Sequence, residues 1–171
     1  MEYPFNQDGR GVAKGSSASI RIYTMTGHDA HLLSKLALRS KSHWGYTVEQ
    51  MVVFRDELTM TPEDMESKIA FGIANESGIV GFYTIMPGDS GCAELEHLFI
   101  DPNYLQRGFG TKLLRHAISQ CRALGIAKIQ VLSDPNAAGF YKRSGARLVK
   151  FVPSSIPGRT LPKFQIDLPD S

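Results

Sequence analysis

What the chain lacks narrows it first. Its two cysteines, Cys92 and Cys121, are too few for a disulfide framework, and no Cys/His cluster has the spacing of a metal site. No apolar run is long enough to span a bilayer, and residues 1–19 hold no apolar core of signal-peptide length. An excess of one charge is missing too: 19 Lys and Arg stand against 17 Asp and Glu, a net +2, and they are scattered rather than gathered into a basic stripe for a nucleic-acid backbone. Neither an internal repeat nor a linker divides the chain. These absences point to a metal-free, cytoplasmic protein with no nucleic-acid or membrane partner. At 171 residues it has room for one well-buried core and too little for two ordinary domains.

What is present reads as an alternation of strands and helices. Residues 1–19, with Gly9, Gly11, Gly15 and a Ser16-Ser17 pair, read as a flexible arm, which leaves residues 20–171 as a single domain. Residues 20–24 form a short β-prone run. Asp29 is placed to cap a helix over 30–39, with Leu32, Leu33, Leu36 and Ala37 on one face. Thr47 can cap a second helix to about residue 58, and Thr61-Pro62-Glu63-Asp64 starts another with proline in its first turn. Strand-like runs at 68–75 and 79–86 flank the turn Asn75-Glu76-Ser77-Gly78. A strand at 95–100 ends in Asp101-Pro102-Asn103. Then Leu113, Leu114, Ala117, Ile118, Cys121 and Leu124 mark one face of a helix closed by Gly125. The strand at 128–132 follows through a crossover, which makes it parallel to the strand before that helix. A short helix at 136–144 and strands at 147–152 and 162–168 complete an α/β (α+β) fold: a mixed, twisted sheet with helices on both faces.

Several stretches carry chemistry. The loop Gln106-Arg107-Gly108-Phe109-Gly110-Thr111 leads into a helix start, where open backbone N–H groups attract anions. Its spacing matches neither a dinucleotide fingerprint nor a nucleoside-triphosphate loop. Glu94 and Glu96, two apart on a strand, point to one face about 7 Å from each other, and mutual repulsion would tune one of them toward a general base. A bulge in that strand would change which side chains face inward. His97 reads as a packed residue beside Leu95 and Phe99, and His116 as solvent-facing. His43-Trp44-Gly45-Tyr46 places aromatics in a connection, as a lid on the sheet or as a pocket lining. Between residues 49 and 66, Glu49, Asp56, Glu57, Glu63, Asp64 and Glu66 face Arg55 alone. That run is either a solvated helix surface or an acidic rim for a cationic amine. In the first case Arg159 is the better candidate for holding an acceptor that bears a carboxylate.

The glycine loop between strand and helix, followed by Asp134-Pro135-Asn136-Ala137-Ala138-Gly139-Phe140-Tyr141 and a Ser144-Gly145 stop, resembles the GNAT superfamily of acetyl-coenzyme-A-dependent N-acetyltransferases over residues 20–168. Two positions depart from its pattern: Leu105 stands where Gln or Arg is usual, and Ala146 replaces the usual Phe. The resemblance implies acetyl-coenzyme A as co-substrate, with no metal. It implies a coenzyme site made of Leu98, Phe99, Ile100, Gln106, Arg107, Gly108, Phe109, Gly110, Thr111, Asn136, Phe140 and Tyr141. Asn136 would cap the short helix and reach the pantetheine arm. Tyr141 would protonate the departing thiolate, Glu96 or Glu94 would serve as base, and His43, Trp44 and Tyr46 would help form the acceptor side. The activity implied is direct transfer to a primary amine, of a small molecule or a peptide, in a ternary complex. A non-catalytic acyl-coenzyme-A sensor is the alternative, and a homodimer is compatible with either.

Overall fold

The computed structural model describes residues 19–168, so the arm read over residues 1–19 lies almost wholly outside the described residues. Seven strands form one sheet: β1 (Arg21–Thr24), β2 (Ile69–Asn75), β3 (Gly78–Pro87), β4 (Cys92–Ile100), β5 (Lys128–Leu132), β6 (Arg147–Pro153) and β7 (Thr160–Asp167). Their order is β1-β2-β3-β4-β5-β7-β6. β4 and β5 run parallel, as the crossover predicts, and the other neighbours are antiparallel.

The sheet carries a core on each face because adjacent residues of a strand point to opposite sides. Tyr83 and Ile85 join Leu95, Leu113, Ala117, Ile129 and Phe164 in one cluster, whereas Phe82 joins Leu33, Leu36, Ala37 and Phe54 in the other. The first cluster packs under α4 (Phe109–Ala123) and α5 (Ala138–Arg143). The second packs under α1 (Ala30–Ser42), α2 (Val48–Leu58) and α3 (Pro62–Glu66). Helix starts follow local chemistry. Thr47 and Thr61 accept bonds from the N–H groups of Gln50 and Asp64, whose side chains return to the capping residue's own N–H.

Four expectations are corrected. Asp29 stands at the N-cap of α1 as expected, but its side chain makes no bond to that helix; its carboxylate reaches back to the Thr26 N–H at 2.8 Å and closes a 3₁₀ turn ahead of the helix. α1 continues one turn past residue 39, and its buried stripe is Leu33, Leu36, Ala37 and Ser40, while Leu32 faces water. Leu124 lies beyond the last turn of α4 and is exposed. His116 is half-buried rather than solvated: its Nδ1 shares a hydrogen bond with the Tyr83 hydroxyl at 2.9 Å, and its ring meets Phe71 edge-on.

The stripe assignment is checked by a pair of neighbours. Leu33→Ala removes a fully buried side chain (0% exposed) and should cost about 2–5 kcal/mol, whereas Leu32→Ala, at 42% exposure, should cost under about 1 kcal/mol in urea denaturation.

Candidate active site

β4 and β5 share a ladder only over Cys92↔Lys128, Ala93↔Ile129 and Glu94↔Gln130, although β4 continues to Ile100. Beyond Glu94 the two strands part, and a cleft of about 1140 Å³ opens between them. Leu95, Glu96, Leu98, Phe99 and Ile100 line it from β4; Val131, Leu132, Ser133 and Asp134 line it from the end of β5.

One end of the cleft is the start of α4. Gln106 and Gly108 both adopt positive φ, 59° and 81°, which turns the chain sharply into the helix. Glycine takes that conformation without steric cost and a side chain at Gln106 does not, so the loop holds some strain beside the start of α4. No side chain caps α4, and its first helical bond runs from the Lys112 N–H to the Gly108 carbonyl at 3.1 Å. The N–H groups of Phe109, Gly110 and Thr111 therefore have no partner inside the helix, and all three residues line the cleft. Such a concentration of donors and partial positive charge suits a diphosphate. Gln106 lines the same end; Arg107 does not, its guanidinium lying over the Tyr104 ring at 5.2 Å. Leu105 packs against the core beside the loop, so its departure from the family pattern leaves the backbone donors untouched.

In the β3–β4 register, His97 faces Thr84 and Leu95 faces Ile85, which leaves Glu96 as an extra residue, a bulge. The bulge reverses the alternation after it. Regular spacing predicts His97 on the Leu95 face; instead His97 lies with Phe82 and Phe99, at ring separations of 6.2 and 6.0 Å, on the opposite side. Its Nδ1 is 2.7 Å from the Thr84 hydroxyl. Leu98 joins the cluster that holds Leu95. Glu96 lines the cleft, and Lys68 Nζ stands 2.8 Å from its Oε2, a Coulombic contact outside hydrogen-bond geometry. Glu94 is exposed and does not line the cleft, so the two carboxylates do not meet there.

Tyr141 rises from α5 into the cleft floor, its ring stacked on Phe164 at 5.9 Å and edge-on to Phe140 at 5.1 Å. Its hydroxyl makes no hydrogen bond among the described residues, and burial pushes the phenol pKa upward, which keeps it protonated. Phe140 lines the same floor.

Opposite lies a polar cluster that the sequence reading only partly anticipates. Asp134 accepts from Lys41 Nζ at 2.5 Å, from the Tyr46 hydroxyl at 2.7 Å and from Arg159 Nη2 at 3.2 Å. It also caps its own turn through the Asn136 N–H at 2.9 Å, the role expected of Asn136. Asn136 instead donates its side-chain N–H to Asp134 and to the Tyr46 hydroxyl. Burial would raise the Asp134 pKa, but the Lys41 ammonium and the other donors outweigh it and hold the carboxyl low. Burial lowers the Lys41 pKa, with Asp134 opposing. Lys41 and Arg159 both lie over the Phe54 ring, at 4.1 and 5.3 Å.

His43, Trp44 and Arg159 line the cleft, while Tyr46 packs behind it edge-on to Phe54, so the aromatic connection serves as lining and as packing at once. The acidic rim is not assembled. Glu57 alone of the run lines the cleft; Glu49, Asp56, Glu63, Asp64 and Glu66 are exposed elsewhere, with Asp64 committed to its capping box. Lys41 and Asp134 are the residues missed. A signal for Lys41 exists: with Leu33 and Ala37 it falls at i, i+4 and i+8, a charge on the buried stripe of α1. Among the described residues no group of three or more His, Cys, Asp or Glu could hold a metal, and no helix is long and apolar enough to cross a membrane.

A family model described as the acetyltransferase (GNAT) family matches residues 34–146. Among solved structures, the chain is similar to a PaiA N-acetyltransferase from Thermoplasma acidophilum in complex with coenzyme A (19% identity, TM-score 0.70, covering 87% of this chain and 99% of that one). It is also similar to a GCN5-related N-acetyltransferase from Rhodopseudomonas palustris (20%, 0.72, 90% and 97%). A third similar structure is the ribosomal-protein-S18-alanine N-acetyltransferase from Escherichia coli (16%, 0.67, 88% and 94%). At such identities the likeness establishes the fold. No curated protein matches the chain.

The His97 environment has a pH signature. Burial, then the Lys68 charge, push its imidazole down from 6.5 to about 4, with Glu96 opposing. The unfolded chain binds a proton near pH 6.5 that the fold refuses until about pH 4. This contribution to stability is therefore complete above 6.5 and is lost as pH falls through that window, on the order of 3 kcal/mol in all. Urea denaturation at pH 7, 5.5 and 4 should show the decline, and His97→Gln should remove most of its slope.

Proposed function

Since the chain belongs to the GNAT family of acetyltransferases, whose acyl donor is acetyl-coenzyme A, we propose that it transfers the acetyl group directly to a primary amine held in the same cleft. The observation that carries this reading is the meeting of three unlike features in one cavity: the uncapped start of α4, the bulged carboxylate Glu96 and the buried phenol Tyr141. A site for a phosphorylated ligand alone would need only the first.

The residues present fit the coenzyme. The open N–H groups of Phe109, Gly110 and Thr111 suit its diphosphate, and the backbone of β4 beyond the bulge, unpaired on the β5 side, suits an extended amide-bearing arm. When bound, acetyl-coenzyme A supplies an activated thioester carbonyl. Glu96 then takes the proton of the incoming ammonium, directly or through a water, so that a neutral amine can attack; the Lys68 contact holds the carboxylate in place. Tyr141 gives its proton to the departing thiolate. No cysteine lines the cleft, and burial pushes the Cys121 thiol up to about 11, which favours direct transfer over an acyl-enzyme. A non-catalytic acyl-coenzyme-A sensor would have no use for an acid and a base converging on one cleft.

An amine panel assayed with acetyl-coenzyme A for thiol release tests the reading. Tyr141→Phe and Glu96→Gln should each lower kcat by about ten- to a thousandfold, with coenzyme A affinity nearly unchanged in calorimetry. Tight coenzyme binding with no transfer to any amine would favour the sensor. Gly108→Asp places a charged side chain beside the open N–H groups and should abolish coenzyme binding; since φ of 81° strains any side chain there, Gly108→Ala is the control, lowering the melting temperature similarly while keeping most of the binding.

A further inference from the structure

We propose that Lys41 and Arg159, set by Tyr46 and Asp134, form a subsite for a carboxylate on the acceptor, so that the amine acetylated belongs to an amino acid or a similar small amino acid-like molecule. This deepens the transferase reading and rests on it for the position of the amine.

The first reason is charge. Two cations share one carboxylate in the cluster, and their side chains are only 12% and 14% exposed. The nearest further anion, Glu57, is an exposed rim residue hydrogen-bonded by Ser155, and its influence on Lys41 is the weakest of those acting there. Burying an uncompensated positive charge is costly unless something compensates it, and a ligand carboxylate entering the cleft would do so.

The second reason is hydrogen-bond capacity. The Tyr46 hydroxyl is saturated: it donates to Asp134 and accepts from Asn136 at 3.1 Å and from Arg159 at 3.0 Å. It fixes the cluster and has nothing left for a ligand. Arg159, in contrast, bonds through Nη2 alone. Its Nε and Nη1 groups make no hydrogen bond among the described residues, and neither is a buried atom without a partner. Both donors are accessible and Arg159 lines the cleft, so either can give a ligand carboxylate one charge-assisted bond; Nη2, common to both bidentate edges of the guanidinium, is already taken by Tyr46 and Asp134. Packing of the guanidinium against Phe54 and Tyr46, at 5.3 and 5.4 Å, uses its faces and leaves the Nε and Nη1 donors uncovered.

The third reason is exclusion. A polyamine would bring a second cation toward Lys41 and Arg159, and the acidic run expected to draw it lies outside the cleft apart from Glu57. Like charges at this depth repel with little screening.

The test uses the full chain and three probe sets: the common L-amino acids, the corresponding L-amino acid amides, and spermidine. Thiol release should be faster in kcat/KM for at least one free acid than for its amide, by roughly tenfold to a hundredfold, the range for a charge-assisted pair. Arg159→Gln should raise KM for the acid much more than for the amide, so that the ratio of their kcat/KM values falls toward one; Arg159→Lys should restore part of the difference. Calorimetric titration of acids and amides into the coenzyme-A-loaded protein supplies a readout independent of turnover. Carboxylate-dependent binding without transfer would sustain the subsite and sink the transferase reading. Equal binding of acids and amides, a preference for spermidine, or an Arg159→Gln variant that weakens acid and amide alike would overturn the subsite. If Arg159→Gln does not fold, the wild-type comparison of acid with amide decides the matter alone.

Discussion

The early parting of β4 from β5 is the constraint on which the rest of the site depends. A parallel pair normally continues its ladder as far as the strands allow, yet here three residue pairs form and then the chains separate. The bulge at Glu96 accompanies this separation and supplies its local cause: an unpaired residue bends its strand and increases its twist. The cost is unpaired backbone along the rest of β4 on that side, which has to find partners in water or in a ligand. The same inserted residue reverses the side-chain alternation, sending Leu98 to one core and His97 with Phe99 to the other. One irregularity thus creates the cleft, aims Glu96 into it and decides which histidine is buried.

The second organising element is Asp134, which joins parts of the chain that are far apart in sequence. Lys41 comes from the end of α1, Tyr46 from the connection after it, Asn136 from the turn before α5, and Arg159 from the loop before β7. Removing that carboxylate would leave two buried cations facing each other. Such a network contributes less net stability than its bonds suggest, because each charge gives up hydration to join it. What it supplies is position: the cations lie over aromatic rings, and Arg159, bonded through Nη2, lines the cleft with Nε and Nη1 unbonded among the described residues.

The two ends of the cleft divide the work in a way that matches their construction. The end proposed for the coenzyme is backbone, an uncapped helix start after two left-handed residues, and so tolerates changes such as Leu105 that leave the main chain in place. The end proposed for the acceptor is instead built from side chains on separate elements.

Much of the fold was legible in the sequence because its signals are local. Thr47 and Thr61 mark helix starts within four residues, the Asn75–Gly78 turn joins adjacent strands, and the stripe on α4 repeats at the helical period. The glycine loop and Tyr141 were legible for the same reason, being contiguous motifs. The face of α1 is ambiguous in sequence because Leu32 and Leu33 both fit an apolar stripe, and only the packing of Phe54 and Phe82 selects between them. What the sequence could not determine was everything requiring a bulge or a distant partner. A bulge depends on strand register, which no single segment encodes, so the fates of Glu94, Glu96 and His97 waited on the neighbouring strand. The sharing of Asp134 by Lys41 and Arg159 spans 118 positions of sequence and exists only because the sheet brings β5, α1 and the loop before β7 to one edge of the cleft.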